Sequence, residues 1–138
     1  MEPRTLRVLE FTPVLEQVAK HCQWQPGREI VLGLTPYQDI DQLHDHQVLV
    51  NESIRAAQDS VGYGLGGLSD VRPEIKAASR GQTLEPLDLI RVREVACASR
   101  KLSEILRSLG PNFPLLSDRA RYLGSFIRLE NQVEGSID

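Results

Sequence analysis

Apolar residues recur along this chain at intervals of three and four, and no long stretch alternates at intervals of two. Ile40, Leu43, Val50, Ile54, Ala57 and Val61 keep that spacing, with Gln47 in the one polar slot, which predicts a helix of at least five turns with a continuous seam. Asp39, followed three residues later by Gln42, resembles a capping box at its start. A second long helix opens at Pro86 and ends at Gly110-Pro111, with Val95, Ala98, Leu102, Ile105 and Leu109 lining its second half. Tyr122, Phe126, Leu129, Val133 and Ile137 follow at 4-3-4-4 spacing and predict a last helical segment, weakest at Gly135. Before these, Met1 to Phe11 reads as a lead-in in which Leu6, Val8 and Leu9 offer a short irregular packing piece. Thr12-Pro13 then predicts a helix start, with the hydroxyl as cap and proline at the first helical position. Leu15, Val18, Ala19 and Cys22 form its apolar face. Gln25-Pro26-Gly27 reads as the break after it, and a short helix is expected from Arg28 to Leu34, stopped before Pro36.

The stretch from Val61 to Gly81 joins the two long helices. Gly62, Gly64, Gly66 and Gly67 interrupt regular structure, because glycine admits backbone conformations that helices and strands do not use. Gly62, Gly64 and Gly67 also spell G-x-G-x-x-G, a dinucleotide fingerprint that needs a strand before it and a helix opening on its last glycine. Neither is expected here, and no Lys-Ser/Thr follows the glycines, so the stretch reads as a surface loop between helices. A short helix then starts at Asp70, whose carboxylate can accept from first-turn N–H groups, with Pro73 in that turn. Val71, Ile75 and Ala78 share a face and Gly81 supplies the stop. Arg72, Lys76 and Arg80 follow at i, i+4 and i+8. A stripe of this kind reads first as a solvated helix face, and alternatively as a small phosphate-contacting patch.

These elements amount to an all-α fold: a single helical domain over residues 1–138 of about five or six helices, two or three of them long, with a Gly-rich connecting loop. Composition agrees. The 138 residues are 41% hydrophobic but only 5% aromatic, so Leu, Val, Ile and Ala must supply the core, as packed helices allow. The net charge of −3 argues against a general polyanion-binding module. Cys22 and Cys97, with no signal peptide ahead of them, are expected as free thiols in a reducing cytoplasm. No apolar run approaches the ~20 residues that a membrane span needs.

Candidate chemistry is sparse. His44 and His46 lie two apart on a predicted helix and point in different directions, and His21 beside Cys22 has the same defect as a metal pair. Asp39, Asp41, Asp45 and Asp88 sit in first turns or on exposed faces, where the helix dipole favours them. No G-x-S-x-G or comparable nucleophile motif is present. No catalytic, cofactor-binding or metal-ligating residue is therefore assigned, and a self-contained enzyme is not expected.

The run G-G-L-S-D-V-R-P at Gly66 to Pro73, then Ile75, Ala78, Arg80-Gly81 and Leu84-Glu85-Pro86, resembles a family pattern. So do the opening L-R-V-L-E-F-T-P-V-L-E-Q-V-A at Leu6 to Ala19, Gly27-Arg28-Glu29 with Leu34-Thr35-Pro36, and the closing Gly135-Ser136-Ile137-Asp138. Order and spacing together resemble the N-terminal region of the bacterial type 2 MutS paralogues, MutS relatives that lack the mismatch-reading domain. Glu85 departs from the pattern, standing where the family commonly has a capping serine or similar residue. The resemblance implies a homodimeric parent ATPase, using ATP and Mg in a domain outside this region, with a C-terminal Smr nuclease domain. It implies a parent that binds branched DNA and suppresses recombination, in a family implicated in splitting collided ribosomes. No functional residue of the ATPase or the nuclease maps onto this sequence. The resemblance therefore implies a helical scaffold that packs against the parent's lever helices and helps form the dimer or the clamp. The alternative is a module contacting nucleic acid or ribosome through Arg72, Lys76 and Arg80, with Arg91, Arg93, Arg100 and Lys101 in support.

Overall fold

The computed structural model describes residues 7–59 and 62–137, so the readings placed on Leu6, Val61 and Asp138 lie outside the described residues. It is all-α: seven helices and two 3-10 turns, with no strand among the described residues. The helices are α1 (Phe11–Ala19), α2 (Gln25–Leu32), α3 (Ile40–Gln58), α4 (Arg72–Ser79), α5 (Pro86–Ser108), α6 (Pro114–Arg119) and α7 (Ile127–Ile137). The 3-10 turns, Gly110–Asn112 and Ala120–Tyr122, bracket α6.

α5 is the hub, packed by α4, α6, α7 and the turn at Ala120–Tyr122. Its deepest face carries Ala96, Ser103 and Leu106. Leu106 joins Ala56, Phe113, Leu116 and Ala120 in the core, against which Leu49, Tyr63 and Leu102 pack from the side. α1 and α2 form a separate hairpin. Trp24 ties that hairpin to the bundle by donating its indole N–H to the Ser69 carbonyl at 3.2 Å.

Several expected boundaries move. Thr12 is not a cap: α1 already begins at Phe11, with Glu10 in the left-handed region (φ 51°) ahead of it. The Thr12 hydroxyl thus lies inside the first turn, past the position from which a cap bond forms. Gln25-Pro26-Gly27 does not break a helix but opens α2, whose first turn tolerates the missing N–H of Pro26. The expected helix at Arg28 thus starts three residues earlier and ends at Leu32. α4 begins at Arg72, two residues after Asp70, yet Asp70 still accepts from the Arg72 N–H at 3.1 Å. Gly81 stops α4 as expected. At φ 75° it donates to Ala78 while Gln82 donates to Ala77, the paired closure of a Schellman turn.

Asp39 caps α3, its carboxylate accepting from the Asp41 N–H at 2.9 Å. The start of α5 is secured from within. Asp88 accepts from the Glu85 N–H at 3.3 Å, in a capping box with Glu85 at the N-cap.

The last segment is not one helix. Tyr122 belongs to a 3-10 turn, and the chain runs extended from Leu123 before α7 starts at Ile127. The Phe126 ring folds back over Gly124, where a Cβ would stand 2.5 Å from its tip, so a larger residue there would require the half-exposed ring to swing away. Ser99 pins the same peptide by donating to the Gly124 carbonyl at 2.9 Å.

α6 was not expected from the pattern, being too short to show a period. Its first-turn Leu116 N–H is satisfied from across the fold by the buried Glu52 of α3, at 3.0 Å. Glu52→Ala should cost about 1–2 kcal/mol, the loss of a helix cap. Glu52→Gln, which keeps an acceptor, should lie close to wild type in urea unfolding.

Candidate functional site

The basic stripe on α4 is divided in use. Arg72 grips Asp70 with Nε and Nη2, at 2.6 to 3.0 Å, and reaches Glu29 of α2 with Nη2 at 2.8 Å. The hydrogen bonds to Asp70 and then Glu29 push the Arg72 guanidinium further up, and Arg72 holds the Asp70 carboxyl below its usual range. Arg72 therefore staples the N-terminal hairpin to α4. Lys76 and Arg80 are exposed and make no salt bridge among the described residues.

The supporting basic residues divide the same way. Arg91 sits between Asp88 at 3.3 Å and Glu74 of α4 at 3.7 Å. Arg93 reaches Glu134 of α7 at 2.9 Å. Arg100 holds Glu130 of α7 with Nη2 at 2.9 Å and with Nε at 3.2 and 3.3 Å, and touches Glu104 at 3.3 Å. Lys101 is exposed without a salt bridge among the described residues. Lys101 and Arg93 line one depression with Gly64, Gly66 and Gly67, but Arg93 is committed to Glu134 there.

Glu130 is a side chain that periodicity does not single out. It is buried on α7 and takes both Arg100 and the Cys97 thiol, whose Sγ donates at 3.0 Å. Arg100 first and Cys97 second hold the Glu130 carboxyl below its ordinary value, while Glu130, followed by burial, pushes the Cys97 thiol up. A thiol kept protonated as a donor is a poor nucleophile. Glu130 stands beside Leu129 and one turn before the buried Val133, and Glu52 lies between Leu49 and Ala56. An acid set into an apolar stripe was the available signal for both.

The Gly-rich loop does more than connect helices. It brings Leu65 and Leu68 to a groove of about 320 Å³ whose other walls include Trp24, Val95, Leu102 and Phe126. It also sends Tyr63 against the core. Among the described residues no strand precedes it, and the following helix starts at Arg72, so there the dinucleotide fingerprint lacks both of its flanking elements. Among the described residues, no group of three or more His, Cys, Asp or Glu side chains is placed to hold a metal ion. Both cysteines are free thiols. No described helix is long and apolar enough to cross a membrane.

What the arrangement does is join helices: α2 to α4 through Arg72, α4 to α5 through Arg91, and α5 to α7 through Arg100 and Arg93. No protein-family model matches the chain. Curated relatives match it throughout. A protein named Endonuclease MutS2 from Symbiobacterium thermophilum is 35% identical over all of this chain and 17% of its own length. Proteins of the same name from Geobacillus thermodenitrificans and Bacillus mycoides are 34% and 31% identical, over 100% and 99% of this chain and 18% of their own lengths. The chain thus spans 17–18% of the length of these relatives. With helices in the expected order and a match that runs from end to end, the chain belongs to the MutS2 family and corresponds to its N-terminal region.

Proposed function

We propose that this region is a non-catalytic helical scaffold, a single domain, within a MutS2 protein. The observation that carries this reading is the commitment of charge: Arg72, Arg91, Arg93 and Arg100 all face carboxylates on neighbouring turns or helices. These side chains hold the helices in register instead of presenting cations to a ligand. The relatives are named endonucleases. In this reading their chemistry, with ATP and Mg at an ATPase domain, belongs to the rest of a homodimeric cytoplasmic parent. That parent acts on branched DNA in suppressing recombination, and on collided ribosomes.

A second reading keeps Lys76 and Arg80, the two solvent-facing members of the stripe, as contacts to DNA or ribosomal RNA. The test is Lys76→Glu with Arg80→Glu in a full-length MutS2 protein carrying this region, with nucleic-acid and ribosome binding followed across a salt series. Arg72 is left alone because its replacement would loosen the hairpin. The scaffold reading expects unchanged affinity and an unchanged salt slope. A slope on duplex DNA shallower by about 0.9 per lost contact, with weaker binding, would favour the second reading.

A further inference from the structure

The seam read from the sequence of α3 is real as a pattern but does not face the core. Glu52 and Ala56 are the buried residues of α3, and Leu49 on the same face packs against the core. At 100° per residue, the seam lies on nearly the opposite side of the helix. Ile40, Val50 and Ile54 are 78%, 56% and 50% exposed, and Gln47 and Ala57 are exposed with them. Ile40, Leu43, Gln47, Val50, Ile54 and Ala57 follow a strict 3-4-3-4-3 spacing, the seam of a coiled coil. Among the described residues, α6 is the main element packed on α3, and it lies against the buried face.

We propose that this stripe seats an amphipathic helix supplied by the remaining chain of the full-length protein; this rests on the scaffold reading and names the surface through which it works. The spacing selects the occupant's shape, because a 3.5-residue repeat stays in contact only with another helix crossing at a shallow angle. Gln47 selects part of its chemistry: an otherwise apolar heptad stripe with a hydrogen-bonding side chain opposite Gln47, since a buried amide needs a partner. Within the helix the flanking positions, His44, His46, Asn51, Ser53 and Gln58, carry no carboxylate, lysine or arginine, and Asp39 before Ile40 is engaged as the cap, so no charge pattern is demanded of the partner.

Area decides between a second copy and the same polypeptide. The stripe is about 27 Å long on a helix about 10 Å across, roughly 300 Å² of contact footprint. That falls well below the roughly 800 Å² per partner of a stable protein–protein interface. A tethered helix needs far less, because the linker supplies a high effective concentration. The curated relatives have more than four-fifths of their length outside the matched region, chain enough to provide one.

The experiment places a photo-crosslinking benzoylphenylalanine at Val50, and separately at Ile54, in a full-length MutS2 protein carrying this region. Isotopically light and heavy subunits are mixed before irradiation. The expected product joins α3 to a peptide outside residues 1–138, with both halves carrying the same isotope label. A mixed-label product would assign the stripe to a second copy, and the absence of any protein crosslink at both positions would leave it in solvent; either overturns the proposal. Ile54→Glu in the same protein should lower its Tm by several degrees, and an unchanged Tm also counts against it. The salt series at Lys76 and Arg80 tests the scaffold reading on a different surface, so the two can fail separately.

Discussion

Leu106→Ala is expected to lower unfolding stability by about 2–5 kcal/mol, the cost of removing a buried leucine and leaving its cavity. Leu106 lies where α5 meets Phe113, Leu116 and Ala120, and it is 6% exposed. These partners are held by α6 and its flanking 3-10 turns, which have little room to collapse into the space. Leu102, one turn earlier, sits at the centre of the seam read from the sequence and on that reading would be the costlier loss. It is instead half-buried, flanking the core and opening onto the apolar groove. Leu102→Ala should therefore cost roughly 1–2 kcal/mol, in proportion to the apolar area it withholds from water. Urea unfolding of the two variants checks the order. Equal losses would mean that the groove beside Leu102 is filled.

The second large effect is expected at Glu130. Its carboxylate is the shared acceptor of Arg100 and Cys97, and its removal leaves the Cys97 thiol without this acceptor and Arg100 with only Glu104 of its own helix. Glu130→Ala should release α7 from α5, seen as faster hydrogen exchange over residues 127–137 than in Arg93→Ala, where the lost partner Glu134 is mostly in water. The pH dependence has a definite sign. The folded carboxyl is held below its unfolded value of 4.5, so its contribution is fully present above about pH 4.5. It is lost as the pH falls below that value and through the lowered folded value. In Glu130→Gln that part of the acid sensitivity should disappear, and the stability profile below pH 4.5 should be flatter than in wild type. Parallel acid limbs in wild type and Glu130→Gln would show that Glu130 titrates alike in folded and unfolded chains.

Much of the candidate site was legible only as residue types. Arg72 and Lys76 fall on the short helix read between Asp70 and Gly81, and Arg80 is its C-cap, because Pro73 and Gly81 punctuate that stretch locally. What each cation does was not legible. Glu29 lies 43 positions before Arg72 in the chain, and nothing local announces that α2 will lay a carboxylate beside it. The same holds for Arg100 and Glu130, brought together only when α7 turns back along α5.

By itself, the sequence determined that the protein is helical, where its two long helices run, where glycine and proline stop or start them, and the family to which they belong. These are properties of neighbours within a few residues: the 3.6-residue period, the cap and the breaker act over a single turn. Tertiary structure alone decided which face of each helix is the inner one. Periodicity shows that α3 has an apolar side, but burial depends on what arrives against it. In this chain the inner side is the one bearing Ala56 and the Glu52 that caps α6, while Ile40, Val50 and Ile54 face outward. A helix with two usable faces can satisfy both its own domain and a partner. The choice between them is made by packing between segments far apart in the chain, which no local pattern encodes.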